Sequence, residues 1–91
     1  MKKKELELNK VNNKKEGLLT IEGQNYMTDM VCYLRAKNVD SYEVESIRSD
    51  IIRMFLDAQN RGEAIDTVLG SDYKSFCDEI LQSSSYKKTG T

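Results

Sequence analysis

The sequence has no histidine, no proline and no tryptophan, and only two cysteines in 91 residues. The missing histidines remove the commonest general base and the commonest protein ligand of zinc and iron. Two cysteines are too few for a four-cysteine zinc site or for a site of three cysteines and a histidine. The longest uninterrupted apolar run, Met30 to Leu34, is far shorter than the roughly 20 residues of a membrane-spanning helix. Composition therefore excludes haem, zinc-finger, secreted disulfide-scaffold and membrane-span classes.

Charge is distributed unevenly behind a net value of −1. Residues 1–16 carry six lysines against three glutamates, residues 17–85 carry six basic residues against twelve acidic ones, and Lys87 and Lys88 follow. A nucleic-acid-binding domain places positive charge on its folded surface, so an acidic body argues against nucleic acid as the partner. The terminal lysines are interpreted as solubilising, and contact with phosphates or with an acidic protein is the alternative.

Apolar spacing predicts four helices, near residues 24–37, 41–61, 63–69 and 72–83. The second is the strongest, since one apolar face continues for about twenty residues, and Asp40 and Gly62 suit its two ends. The predicted fold class is all-α, a small irregular helical bundle of about four helices around one long helix. We divide the chain into a basic flexible lead (1–17), a helical domain (18–85) and a flexible tail (86–91). The predicted core consists of Met27, Met30, Val31, Leu34, Val44, Ile47, Ile51, Phe55, Ala58, Ile65, Leu69, Phe76, Cys77 and Ile80.

No combination of residues indicates a catalytic group, a cofactor or a metal. Cys77 lies on the apolar face of the last helix and is predicted to be a small buried hydrophobe, whereas Cys32 is predicted to face outward. A disulfide between them is not expected, and reduced thiols indicate the cytoplasm. Acidic clusters such as Asp72, Asp78 and Glu79 are interpreted as solvated helix surface, because di-iron bundles need histidines. Residues 63–81 have the outline of a helix-turn-helix, but acids at its second helix would repel phosphates, so a structural corner is favoured.

The long helix carries a wider apolar face than three short neighbours can cover. Ile52, Leu56 and Met54 lie beside the stripe assigned to the core, and they are the candidate interaction residues. Small domains without disulfides or metals often complete their core by oligomerising, so a homodimer is predicted. The alternative is that the chain before the first helix folds back over Ile52 and Leu56. Its apolar residues are Leu18, Leu19 and Ile21.

Two segments in the second half of the chain resemble a known family. Phe55–Gly62 reads Phe-Leu-Asp-Ala-Gln-Asn-Arg-Gly, and Val68–Leu81 contains Gly-Ser-Asp followed by Phe-Cys-Asp-Glu. They resemble the small bacterial family known as domain of unknown function 1048, over residues 24–82. Three residues rather than the family's two separate Ala58 from Gly62, and the lysine-rich lead differs from the longer helical N-terminus of the family. The matching residues are Gly62, Gly70, Asp72, Phe76, Cys77, Asp78 and Glu79.

The resemblance implies a compact helical domain of unknown biochemical role, without a catalytic residue. A related helical domain precedes membrane segments in proteins found beside PadR-like regulators, which implies protein–protein signalling. Together with the lack of candidate catalytic residues, the resemblance favours a non-enzymatic helical protein–protein interaction module. Such a module would bind a protein partner or associate with itself as a homodimer. The alternative is a DNA-associated transcriptional regulatory accessory protein that uses the lysine-rich lead.

Overall fold

The computed structural model describes residues 2–70 and 72–83, whose regular secondary structure is entirely helical. In chain order the helices are α1 (Lys2–Glu16), α2 (Ile21–Ala36), α3 (Ser41–Asn60), α4 (Ile65–Leu69) and α5 (Tyr73–Ser83). The predicted all-α bundle is confirmed, and the four predicted helices correspond to α2–α5 with ends within three residues of the expected ones. The expected flexible tail, 86–91, lies outside the described residues.

Helix α3 is the centre of the fold: α1, α2 and α4 pack against it, and α5 packs against α2. The 3.6-residue period places the apolar residues of α3 on one stripe, which faces the neighbouring helices. Of the predicted core, Val31, Phe76 and Ile80 are only partly buried, and the remaining members are buried as expected. The fully buried apolar side chains of α3 are Val44, Ile47, Ile51, Ile52, Phe55 and Ala58.

The basic lead is the largest departure from the sequence prediction. The sequence predicts a flexible lead over residues 1–17, frayed or weakly helical, whereas Lys2–Glu16 form a continuous helix, α1, along α3. The buried side of α1 is polar: Asn12 is fully buried, and its amide donates to the carbonyl and carboxylate oxygens of Glu45 at 2.9 Å each. A helix that packs through amides and carboxylates shows no apolar periodicity, so the pattern used to find helices could not reveal it.

The helix ends follow the expected local chemistry. Asp40 caps α3 by accepting a hydrogen bond from the backbone N–H of Tyr42 at 3.1 Å, and Asp72 caps α5 by accepting from that of Ser75 at 2.8 Å. Gly62 follows α3 with φ +75°, the left-handed conformation in which glycine ends helices without strain. These caps fix the short connections that bring α4 back onto α3 and α5 onto α2. None of the described helices combines the length and hydropathy needed to cross a membrane.

Candidate interaction surfaces

The interaction face predicted on α3 is largely closed within the chain. Ile52 has 0 % exposure, and Met54 and Leu56 are half-buried. Ile52 lies on the same side of α3 as Arg48 and Gln59, which contact α1 and the connection that follows it. Ile52 is therefore unavailable to a partner, because α1 supplies a cover that the sequence did not predict.

Of the three residues in the alternative fold-back over Ile52 and Leu56, one is buried. Leu19 is buried against the core, whereas Leu18 and Ile21 are 65 % and 71 % exposed. Gln59 holds the connection in place: its side-chain amide donates to the Leu18 carbonyl at 2.9 Å, and its side-chain oxygen accepts from the Thr20 backbone N–H at 3.1 Å. The connection thus presents two large apolar side chains to the outside at the point where α2 begins.

A polar network joins α1 to α3. The Arg48 guanidinium donates to the Glu16 carboxylate at 2.8 and 3.0 Å, to Glu45 at 3.0 Å and to the Asn13 side-chain oxygen at 2.8 Å. The other carboxylate oxygen of Glu45 accepts from Asn9 at 3.0 Å. Burial alone would raise the pKa of Glu45, but the hydrogen bonds from the two asparagines and from Arg48 outweigh it and lower the pKa below its usual value. The network therefore stabilises a charged carboxylate under α1.

A groove lined by acidic residues and tyrosines crosses α2, α4 and α5. It consists of an open cavity of about 460 Å³ lined by α2 alone and a second of about 370 Å³ lined by α2, α4 and the start of α5, and Tyr26 lines both. Four of its lining residues are acidic, and no lysine or arginine of the described chain lines it. We call this surface the acidic groove. Its residues are Ile21, Glu22, Asn25, Tyr26, Asp29, Asp66, Leu69, Gly70, Asp72 and Tyr73.

The hydroxyl of Tyr26 lies in the negative potential of the acidic groove. Its hydroxyl donates to the Asp66 carboxylate at 2.8 Å, across 40 residues of sequence. This hydrogen bond, together with partial burial and the charges of Asp66, Glu22 and Asp29, raises the pKa of the Tyr26 hydroxyl. Carboxylates from two helices therefore act on one point, and they favour a cation there.

A second tyrosine cluster fixes one wall of the groove. The Tyr33 hydroxyl on α2 donates to Asp78 on α5 at 2.9 Å, and the Lys37 ammonium lies 3.9 Å from the same carboxylate. The Tyr33 ring meets that of Tyr73 edge to face, with centroids 6.3 Å apart. These contacts hold α5 on α2, so the position of Tyr73 in the acidic groove is set by the fold.

The outer side of α1 carries the opposite charge. Five exposed lysines share an arc of about 140° at the 3.6-residue helical period. Val11, 45 % exposed, and one exposed acid, Glu7, lie among them, so the arc is strongly but not uniformly positive. Leu6 is 60 % exposed at the edge of this arc. We call this surface the lysine face; its lysines are Lys3, Lys4, Lys10, Lys14 and Lys15. The sequence located the positive charge but not its arrangement on a packed helix.

The two cysteines occupy the predicted environments. Cys77 is fully buried, and burial, followed by the charge of Asp78, raises the pKa of its thiol to about 11. Cys32 is exposed on α2. Within residues 2–70 and 72–83, no three side chains of metal-ligating type come together.

A comparison of the chain with models of known families, with curated proteins and with solved structures finds no match. The similarity to the family of unknown function therefore stays a prediction, and function is argued from the residues of the chain.

Proposed function

We propose that the protein is a non-enzymatic helical protein–protein interaction module and that the acidic groove is its binding surface. The observation that supports this function is the composition of the groove: half-buried Tyr26 and Tyr73 lie among four carboxylates, with exposed Ile21 at one end. Tyrosine is enriched at protein interfaces because its ring buries apolar area while its hydroxyl keeps a polar partner.

The charge of the groove defines the chemistry of the partner. Glu22 and Asp29 lie about 10 Å apart along α2, at the 1.5 Å rise of a helix, and both are exposed. A partner segment with basic side chains at that spacing would be attracted during encounter and oriented on contact. Apolar contacts with Ile21 and the two tyrosine rings would then supply most of the affinity.

Co-purification from cells that express the chain at its native level tests the proposal. Proteins retained by the wild-type chain should be lost with Glu22→Lys/Asp29→Lys, which reverses the charge of the groove on α2. The matched control is Glu43→Lys/Asp57→Lys, which makes the same charge change on the outer side of α3, again with one acid in the first helical turn. Proteins retained equally by all three chains would contradict the assignment of the groove as the binding surface.

A second candidate function, a DNA-associated regulatory accessory protein, is supported by the lysine face. Neutralising Lys10 and Lys14 with glutamine should then abolish salt-sensitive retention on DNA, because each phosphate contact releases counterions. Substitution is a better test than removal of residues 1–15, since removal would also uncover Ile52 and Glu45. Retention that is unaffected by Lys10→Gln/Lys14→Gln would exclude the lysine face as a DNA-binding surface.

A further inference from the structure

We propose that the acidic groove of one copy of this chain binds the lysine face of α1 of a second copy. This inference rests on the proposed function, because it names the partner of the same groove. The partner class follows from two surfaces of the described chain that are complementary in charge, spacing and apolar content.

The lysines of the lysine face and the two groove carboxylates on α2 form no ion pair in the described chain, whereas Asp66 and Asp72 accept hydrogen bonds from Tyr26 and Ser75. The five lysines of the lysine face form no ion pair within residues 2–70 and 72–83, and Glu22 and Asp29 form none there either. The ion pairs of this part of the chain involve other residues, such as Arg48 with Glu16 and Arg53 with Asp50. The lysines of α1 and the two acids of α2 are therefore available for an intermolecular ion pair.

The spacing of the charges also matches. Lys3 and Lys10 are separated by seven residues of α1, and Glu22 and Asp29 are separated by seven residues of α2. Two turns of helix place each pair about 10 Å apart on one side of its helix. Two helices that lie side by side can thus form both ion pairs in a single register.

Apolar side chains accompany the charges on both surfaces. The exposed large hydrophobic residues of the described chain are Leu6 and Val11 on α1, Leu18 in the connection and Ile21 at the start of the acidic groove. A contact between the groove and the lysine face would bring Ile21 towards Val11 or Leu6. The contact is therefore not purely electrostatic. The apolar part matters because exposed ion pairs alone give weak association, which salt reduces further.

Sedimentation of the full chain with charge-reversed variants tests this inference. The wild-type chain should associate at low ionic strength and dissociate as salt is added. Glu22→Lys/Asp29→Lys and Lys3→Glu/Lys10→Glu should each weaken self-association by about tenfold or more, since each turns attraction into repulsion. Glu43→Lys/Asp57→Lys is the matched control and should associate as the wild type does. Circular dichroism should give all variants the helix content of the wild type.

Mixing the two reversed variants is the decisive measurement. In the mixture, the lysine-bearing groove of one variant faces the glutamate-bearing α1 of the other, so association should return to the wild-type level. A wild-type chain that sediments as a 10.5 kDa species from micromolar to millimolar concentration would overturn the inference. A mixture that stays monomeric while the wild type associates would overturn it as well.

The outcomes also separate this inference from the proposed function. If the wild type is monomeric and cellular partners are lost only from Glu22→Lys/Asp29→Lys, self-docking is overturned and the proposed function is retained. Partners that still co-purify with Glu22→Lys/Asp29→Lys would overturn the proposed function directly. A monomeric wild type whose DNA retention is lost with Lys3→Glu/Lys10→Glu would overturn self-docking and favour the DNA-associated alternative.

Discussion

Replacing Arg48 on α3 with methionine should destabilise the fold strongly, because it breaks the polar contact between α1 and α3. Its guanidinium, like the Glu45 carboxylate, bonds to both sides of the contact between α1 and α3: it donates to Glu16 and Asn13 on α1 and to Glu45 on α3. Methionine keeps the length and the packing of the stem but removes every donor. The carboxylate of Glu45, which is 3 % exposed as a residue, then stays buried without its cation.

The expected loss is about 3–5 kcal/mol, the usual cost of breaking a buried ion pair from one side. A chain of 91 residues has a free energy of unfolding of roughly 5–14 kcal/mol, at about 0.05–0.15 kcal/mol per residue. Arg48→Met should therefore remove a large share of the stability. Urea unfolding followed by circular dichroism measures the loss as a lower midpoint with an unchanged slope.

A second substitution tests the physical cause. Glu45→Gln removes the charge and keeps one acceptor oxygen for Asn12, while its amide NH2 replaces the oxygen that accepts from Asn9. No unpaired charge then stays buried, so Glu45→Gln/Arg48→Met should be more stable than Arg48→Met alone. Arg53→Met is the control: Arg53 pairs with Asp50 at the same three-residue spacing on an exposed surface, and its loss should change stability by less than about 1 kcal/mol. A loss below about 1 kcal/mol for Arg48→Met, or no recovery in the double variant, would refute the reasoning.

The Glu45 carboxylate should also make the stability of the fold depend on pH in acid. Hydrogen bonds from Asn12, Asn9 and Arg48 lower the pKa of Glu45 in the folded chain relative to its usual value of 4.5. A group whose pKa is lowered by folding stabilises the fold fully above its unfolded pKa, and this contribution is lost as pH falls through the folded pKa. The urea midpoint should therefore fall as the solution is acidified below that value. The fall should be smaller in Glu45→Gln.

Three further predictions concern the core, a helix end and the thiols. Phe55→Ala should lower the free energy of unfolding by about 3–5 kcal/mol because Phe55 has 0 % exposure. Phe76→Ala should lower it by about 1–2 kcal/mol because Phe76 is only half-buried. Equal unfolding midpoints for the two variants would contradict this packing. Gly62→Ala should cost about 1–2 kcal/mol from its φ of +75° alone, since an added Cβ meets nothing within 4 Å, and Gly62→Asn should lose less in the same unfolding assay. In the folded chain a thiol reagent should modify Cys32 rapidly and Cys77 only after denaturant is added, and rapid reaction of both thiols would contradict the burial of Cys77.

The apolar part of the fold was predictable from the sequence because its signals are local. Helix α3 follows from a stripe of apolar residues with a capping aspartate before it and a glycine after it, and all three features act within a few residues of each other. The burial of Cys77 followed in the same way from its position among Tyr73, Phe76 and Ile80. These positions needed no knowledge of which helices pack together.

Helix α1 and the acidic groove could not be predicted because their residues meet only in three dimensions. Asn12 has to reach Glu45 across 33 residues, and nothing near either residue marks them as partners. The groove depends in the same way on Tyr26 meeting Asp66. An asparagine in a lysine-rich segment is typical of a flexible or weakly helical lead, so local composition does not reveal a packed helix there.

The polar contact between α1 and α3 has a consequence for the lysine face. Apolar packing tolerates rotation of a helix about its axis, whereas hydrogen bonds from Asn12 and Arg48 hold one rotation, because they need fixed angles and distances. The direction in which Lys3 and Lys10 point is therefore set by a network that lies on the opposite side of α1. In low-salt buffer without urea, where the variant remains folded, Arg48→Met should therefore weaken self-association. This effect is expected although Arg48 belongs to neither docking surface. Arg53→Met should not. Undiminished association of folded Arg48→Met in sedimentation would mean that the lysine face is oriented without the network.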